Sequence, residues 1–263
     1  MANMINIDGF YITSVDTMSM FNNANQLEAM LDEIQDCTIS NTQENNDITG
    51  KNGAVIGTLK RNKAVAVTVN SGLIVGGALA VETGSDVETG SFTVRATDIL
   101  TVESNSVTLT GTPVGAEGAE IITLRKKGAN GQLSGTYEQD ATASAANKFA
   151  YSDGEITFFE GDFEDGDQVV VFYDMQVENA TKVSNDANTY SKTVKAYIDC
   201  TVQDKCDNVY HGQIIMPRFD ADGNVDLNIG GTDSVMSFTG RTLKDTCNTG
   251  ANAGKFWDFI FWE

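Results

Sequence analysis

The stretch DITGKNGAVIGTLKRNKAVAVTVNSGLIVGGALAVETG, residues 47–84, indicates the fold of this chain better than any other part. Apolar and polar residues alternate through it, and Gly and Asn interrupt the alternation, which is typical of β-strands joined by turns. It contains no acidic residue between Asp47 and Glu82. Its basic residues are Lys51, Lys60, Arg61 and Lys63.

The charge of this stretch is opposite to that of the whole chain. Residues 48–81 carry +4, which leaves −24 for the rest of a chain whose net charge is −20. Copies of such a chain repel one another, and a basic segment that docks on an acidic neighbour overcomes the repulsion. We therefore predict a subunit interface at the four basic residues. The alternative is a solvated hairpin edge, on which lysines prevent aggregation.

Similar alternating runs recur along the chain, with glycines frequent (25 residues) and prolines rare (2 residues). This pattern predicts an all-β fold, a β-sandwich or barrel, because short strands with turn signals between them are typical of both. Examples of the predicted strands are 64–69, 91–96, 106–110, 121–124, 155–159, 169–173, 193–202 and 256–262.

One segment departs from the alternation of strands. Between Asn23 and Asp36, the apolar residues recur at i, i+3, i+4 and i+7, and Asn22 or Asn23 could cap a helix start. These apolar residues are Leu27, Met30, Leu31 and Ile34. The spacing predicts one amphipathic helix packed on a sheet. A second short helical turn is predicted over 72–81, although Gly76-Gly77 disfavours it.

The composition shifts in the middle of the chain. Residues 98–176 contain 14 acidic and 4 basic residues, which is about half of the net charge. The β pattern of the flanks resumes after this stretch. We therefore predict an inserted acidic β-sandwich domain at 85–178, with 1–84 and 179–263 forming one discontinuous domain.

The charge and hydropathy exclude several classes of function. A net charge of −20 disfavours nucleic-acid binding and binding to an anionic membrane surface, since both need clustered Lys and Arg. The N-terminal MANMINIDGF has no basic region followed by an apolar stretch, so no signal peptide is expected. No apolar run approaches the roughly 18 residues of a membrane helix.

Few residues offer catalytic chemistry. His211 is the sole histidine and begins a predicted strand, so a catalytic role is not expected of it. The cysteines are scattered and do not have zinc-site spacing, and small buried or half-buried thiols are the better interpretation. They are Cys37, Cys200, Cys206 and Cys247. No cofactor is predicted.

Two acidic segments are weak candidates for calcium binding. Asp220, Asp222 and Asp226 have the alternate spacing of a calcium loop, but Val225 stands at the turn position and Gly231 at the position of the bidentate Glu. A hairpin with its turn at Asp222-Gly223 is the favoured alternative. The second segment is the acidic turn that contains Asp162, Asp165 and Asp167.

The C-terminal FWDFIFWE, residues 256–263, has five aromatic residues among its first seven. Both faces of this strand are too apolar for a solvent-facing edge, so burial partly against a neighbouring subunit is predicted. The aromatic residues assigned to this interface are Phe256, Trp257, Phe259, Phe261 and Trp262.

Several of these segments together resemble a known family. TGKNGAVIGTLKRNKAVAVTV (49–69) and SGLIVGGALAVETG (71–84) are similar to the central part of the major tail (tail tube) proteins of long-tailed bacteriophages. Farther along, the resemblance includes TVKAYIDCTVQD, GQIIMPRFDADGNVDLNI, SFTGRTLKD and KFWDFIFWE. It covers the two flanks and excludes the acidic insertion.

The resemblance implies a fold and a function. The implied fold is a β-sandwich with one packed helix, and the implied assembly is a stack of sixfold rings whose inner strands join into a continuous barrel. A long hairpin-like loop would reach the neighbouring ring, and immunoglobulin-like insertions on the outside are frequent in the family. The expected partners are further copies and other tail proteins, with DNA passing through unbound. The expected location is the virion tail, assembled in the bacterial cytoplasm, and no catalytic residues are implied.

Two alternatives remain at this stage. One is another virion surface protein, such as a capsid decoration or adhesin-like protein. The other is a calcium- or carbohydrate-binding β-sandwich, or an enzyme. Trp257 and Trp262 have opposite parity in the predicted terminal strand, so they cannot form one sugar-binding platform.

Overall fold

The computed structural model describes residues 9–227, 236–246 and 253–263. They divide into two compact units. The discontinuous unit consists of the described residues up to Glu88 and from Lys182 onward, and the inserted unit is 89–181. The predicted domain boundaries, after 84 and after 178, lie a few residues from these.

The described residues are mostly β-strand, with one α-helix, α1 (Gly76–Thr83). The prediction of an all-β fold is confirmed. The strands are β1 Phe10–Phe21, β2 Leu27–Leu31, β3 Ile34–Thr49, β4 Val55–Ser71, β5 Glu88–Thr101, β6 Ser106–Thr108, β7 Ile121–Lys127, β8 Leu133–Gln139, β9 Lys148–Ser152, β10 Glu155–Phe158, β11 Gln168–Lys182, β12 Thr193–Asp204, β13 Val209–Leu227, β14 Met236–Thr242 and β15 Asp258–Trp262.

The discontinuous unit contains one sheet in the order β2-β1-β12-β13-β14-β4-β3, with β15 paired to β13 beside β14. Every pairing is antiparallel. Successive side chains of a strand point to opposite faces, so every second residue of these strands faces the same side of the sheet. These residues form one hydrophobic core. Members of this core include Met18, Leu31, Val67, Val69, Ile198, Met216, Phe219 and Phe238. Since β1 also contacts β3 near the opposite edge, the sheet curves around the core.

Helix α1 packs on this sheet against β2 and β13, and its buried residues Ala78 and Val81 belong to the same core. It ends at Gly84, whose φ is 74°. A Cβ at Gly84 would lie 1.9 Å from the carbonyl oxygen of Tyr190, so only glycine fits this helix end.

The predicted amphipathic helix over 23–36 is wrong. The structure has strand β2 there, followed by the start of β3. The Asn22 side chain, expected to cap a helix, instead accepts hydrogen bonds from the backbone N–H groups of Ala24 and Gln26 and so closes the β1–β2 turn. The single packed helix of the described residues is α1, at the position where only a weak helical turn was predicted.

The inserted unit has its own sheet, in the order β5-β11-β7-β8-β9-β10-β6. Its core includes Leu124, Phe149, Ile156, Phe158 and Val171. Fully buried Tyr173 donates a hydrogen bond to Asp98 at 2.9 Å and accepts one from the backbone N–H of Gly111 at 2.9 Å. Because buried polar groups are costly unless they are paired, this network holds β5, β11 and the segment after β6 in one arrangement.

Three cysteines lie in described residues, and all three are free thiols. Cys37 is half-buried, Cys200 is buried and Cys206 is exposed in the turn between β12 and β13. Burial raises the pKa of the Cys37 and Cys200 thiols to about 11. Both are therefore protonated at neutral pH and poor nucleophiles. Cys247 lies outside the described residues.

Candidate assembly surfaces

The β3–β4 hairpin extends beyond the sheet. Strand β14 pairs with β4 only over 65–71, so residues 42–64 form a two-stranded arm, here called the hairpin arm. Every residue of the hairpin arm other than Gly50 and Gly57 is exposed. A two-stranded ribbon exposed on both faces gains little stability from its own chain. The hairpin arm is therefore a candidate assembly surface.

The four predicted interface cations all lie on the hairpin arm and are exposed. Lys51 lies in the turn, and the other three, Lys60, Arg61 and Lys63, lie in β4. Lys60 and Arg61 are consecutive strand residues, so they point to opposite faces. Among the described residues, none of the four makes an ion pair.

The structure also places two acidic residues on the hairpin arm. Glu44 is opposite Arg61 in the register, and Asp47 is opposite Thr58. Their carboxylates accept hydrogen bonds from the neutral side chains of Asn62, at 2.7 Å, and Thr58, at 3.1 Å. Because two acidic residues accompany the four basic ones, the hairpin arm has a net charge of +2. This is lower than the +4 of residues 48–81.

The hairpin arm exposes large apolar side chains as well. Ile48, Val55, Ile56 and Leu59 are exposed by 50%, 58%, 71% and 40%. Ile48 and Leu59 share the face that also presents Arg61. A cluster of exposed apolar side chains of this kind makes the hairpin arm a candidate protein–protein contact.

The aromatic residues of the C-terminus are largely used within their own chain. Trp257 and Phe259 pack on the core of the discontinuous unit. Phe259 and Phe261 share a face and contact Phe10, with ring centroids 5.9 Å and 4.8 Å from it. Phe256 is half-buried, and its ring centroid lies 5.7 Å from Nζ of Lys63.

Trp262 differs from the other C-terminal aromatic residues. It lies on the opposite face of β15, is 41% exposed and stacks on His211 at 5.9 Å. Its neighbour on that face, Ile260, is also exposed. Of the five predicted aromatic interface residues, Trp262 therefore offers the most surface to another subunit.

The calcium candidates of β13 do not form a loop. Strand β13 continues through Asp222-Gly223, so the predicted hairpin turn at this position is wrong. Asp220 binds Arg241 and the Thr193 hydroxyl. Asp222 and Asp226 are exposed, and Gly231 lies outside the described residues.

The other calcium candidates hold their own turn and two neighbouring loops in place. Asp162, Asp165 and Asp167 accept hydrogen bonds from the backbone N–H groups of Asn147, Ser104 and Glu164, in that order. The hydrogen bond from Glu164 and the Lys126 ammonium hold the pKa of Asp167 below its usual range. Over the described parts of the chain, no group of three His, Cys, Asp or Glu side chains is placed to hold a metal ion.

Glu82 is the ionisable residue that the sequence analysis missed. It lies in the last turn of α1 and is only 2% exposed. Its carboxylate accepts the backbone N–H groups of Gly223, at 2.7 Å, and Thr239, at 3.3 Å. Burial raises the pKa of this carboxyl to about 7, and the charge of Asp222 adds to the shift, while the two N–H groups oppose it. The sequence did contain a signal for this buried carboxyl, because Glu82 is an isolated acidic residue in an apolar helical segment.

The comparisons identify a family whose match includes the insertion as well as the two flanks. No helix in the described parts of the chain has the length and apolar character needed to cross a bilayer. A search of curated proteins finds no match. The profile of the YomU/Tube protein family matches residues 10–255, nearly the full length. This chain therefore belongs to the YomU/Tube protein family.

Proposed function

We propose that this chain is a structural virion protein, the major tail tube subunit of a long-tailed bacteriophage. Copies polymerise into sixfold rings, and the rings stack into a tube that is a passive conduit for DNA ejection. The family name supports a phage structural tube protein. The observation that carries the finer proposal is the hairpin arm, 42–64, exposed on both faces and extending beyond its sheet.

In this proposal the hairpin arm joins neighbouring rings. Its exposed apolar side chains supply contact area, and its cations meet the acidic surface of another copy. Lys60 and Arg61 point to opposite faces, so the arm can contact acidic groups on both sides. Trp262 and Ile260 on β15 add a second exposed apolar patch for subunit contact.

The charge of the chain suits a conduit. A DNA-binding protein gains affinity from clustered Lys and Arg that neutralise phosphates, whereas this chain has 37 acidic and 17 basic residues. An acidic wall repels the polyanion and so lets it slide. DNA passes without specific binding, and the function is structural and not catalytic. The sole histidine, His211, is exposed and stacked on Trp262.

The proposed location is the virion tail, after assembly in the bacterial cytoplasm with other tail proteins. Electron microscopy of the purified chain tests the proposal against the alternatives. A tube subunit forms rings or hollow filaments. A decoration protein stays small or binds only to capsid shells. Small particles under all assembly conditions would contradict the proposal.

A further inference from the structure

A cleft of about 350 Å³ lies in the discontinuous unit where the pairing of β12 and β13 shifts. Val194 pairs with Phe219 and Ala196 with Met216, so Pro217 and Arg218 together face Lys195 alone. This is a β-bulge, and bulges re-aim side chains and are frequent near functional sites. Here the bulge brings Lys195 and Arg218 into the lining of one cleft.

Among the described residues, no carboxylate forms an ion pair with either cation. Lys195 donates to the amide oxygen of Asn25 at 2.8 Å, and Arg218 donates to the Thr246 hydroxyl at 3.4 Å. Both cations are half-buried, so part of the hydration of each charge is already lost.

Other cations of the same sheet show a different pattern. Lys192, only three residues before Lys195, binds Glu28 at 2.9 Å and Asp86 at 2.7 Å. Arg241 binds Asp220 at 3.2 Å. In a chain with more than twice as many acids as bases, two half-buried cations that form no ion pair with a described residue are unusual.

The remaining lining does not cancel this charge. Among the lining residues in the described ranges, Asp245 is the one acidic residue, and it is 4% exposed and already has an interaction of its own. Together with Lys195 and Arg218 it gives the described lining a net charge of +1. The planar fork of Arg binds a carboxylate through two parallel hydrogen bonds, and the lysine ammonium adds a third donor.

We propose that this cleft binds an acidic side chain from a second copy of the chain. The ligand chemistry is a carboxylate, and the second copy is its source because the surface of every copy is rich in Asp and Glu. This inference rests on the proposed function, since it makes the cleft a contact within the polymer. It identifies a contact separate from the hairpin arm.

The double variant Lys195→Glu/Arg218→Glu tests this inference. The matched control is Lys127→Glu/Lys205→Glu, which makes the same charge change at two cations that form no ion pair among the described residues. The measurement is the critical concentration for assembly, by pelleting at low salt. We expect the cleft variant to raise it at least about tenfold and the control less than about threefold.

A neutral variant covers the case in which charge reversal disrupts the fold. Lys195→Gln/Arg218→Gln keeps most of the side-chain volume, and the new amide at position 195 can replace the hydrogen bond to Asn25. Circular dichroism of the unassembled protein checks that both cleft variants are folded. We expect the neutral variant to raise the critical concentration by a smaller factor than the reversal, in the same direction.

The carboxylate that binds the cleft could come from a second copy of the chain or from a free anion. Citrate, a free carboxylate probe, distinguishes these two sources. At equal ionic strength, citrate should inhibit wild-type assembly more than chloride does, and this difference should vanish in the neutral variant. Citrate binding together with unchanged assembly of folded cleft variants would overturn the inference, because the cleft would then be a site for free anions. If the wild type forms no polymer, the proposed function fails and the inference fails with it.

Discussion

The Glu82 carboxylate and the Gly223 backbone N–H are joined by a hydrogen bond of 2.7 Å. The pairing of β13 with β14 shifts between Ala221 and Val225, so three residues of β13 oppose one residue of β14. This bulge leaves N–H groups without strand partners. Glu82 accepts two of them, from Gly223 and Thr239, and thereby fixes α1 to both strands. Gly223 has a φ of 74°, which explains glycine at the bulge.

We predict that Glu82 makes stability depend on pH. Its pKa is raised in the folded state to about 7, so the folded state holds this proton more tightly than the unfolded state. The free energy of unfolding therefore falls as pH rises from the pKa of the unfolded state towards 7, by at most about 1.4 kcal/mol per pH unit. Above that range, the ionisation of Glu82 no longer changes the free energy of unfolding. In Glu82→Gln this contribution disappears. Urea denaturation at several pH values measures the difference between the two proteins.

The control for this experiment is Glu103→Gln, at an exposed carboxylate. It should keep the wild-type dependence on pH. If the curves of wild type and Glu82→Gln run parallel from pH 4.5 to 8, the raised pKa assigned to Glu82 is wrong.

We predict that the aromatic residues of β15 divide into two classes. Phe259 packs on the core, so Phe259→Ala should lower the free energy of unfolding by about 2 kcal/mol or more. Trp262 lies on the exposed face, so Trp262→Ala should cost about 1 kcal/mol or less and should weaken assembly instead. Chemical denaturation of the unassembled variants and pelleting separate the two effects. Equal destabilisation by both changes would contradict this division.

Truncation after Gly254 should abolish folding or assembly. It removes β15, which covers the part of β13 that β14 leaves unpaired. The packing is close: a Cβ added at Gly212 would lie 3.0 Å from the Phe259 ring and 3.0 Å from the Cys200 sulfur. A truncated chain that still forms normal particles would show that β15 is dispensable.

We predict that the inserted unit can be removed. Lys182 forms an ion pair of 2.8 Å with Glu88, so the two ends of the insertion lie close together and a short glycine linker should join them. Deletion of residues 89–181 should leave a β-rich circular dichroism spectrum and an assembling protein, because the core of the discontinuous unit contains no residue of the insertion. An unfolded deletion variant would contradict the nested architecture.

The sequence predicted several strands in which apolar residues alternate over a buried face, as in Ala64–Val69 and Thr193–Val202, although β1 and β14, which also alternate, were not among them. It failed where two structures share the same local signal. Asn22 can cap a helix or close an Asx turn, and Asp222-Gly223 can form a hairpin turn or a bulge. Partners outside the local signal decided both cases: β1 pairs with β2, and Glu82 binds the bulge.

The candidate surfaces were predictable in part. The charge pattern identified Lys51, Lys60, Arg61 and Lys63, and all four are exposed. It could not show that Glu44 lies opposite Arg61, because strand register depends on the whole hairpin. The cleft at Lys195 and Arg218 was not predicted, since it depends on a register shift between β12 and β13 that no residue pattern marks.

We predict that charge reversal on the hairpin arm weakens polymerisation and leaves the monomer folded. Lys60→Glu/Arg61→Glu places acidic side chains on both faces of the arm, which then repel the acidic surface of the next copy. Lys127→Glu/Lys205→Glu is again the matched control. Added salt should weaken the wild-type polymer, because it screens exposed charges. Assembly of the arm variant at low salt at the wild-type critical concentration would favour a solvated hairpin edge.

The most direct test of the central claim is electron microscopy of the purified wild-type chain over a series of protein and salt concentrations, with sedimentation velocity on the same samples. The proposed tube subunit should form hollow particles, rings at first and filaments of uniform diameter above a critical concentration. Their axial views should show sixfold symmetry around an open lumen. Sedimentation as a single monomeric species throughout the series, with no hollow particles on the grids, would contradict the claim.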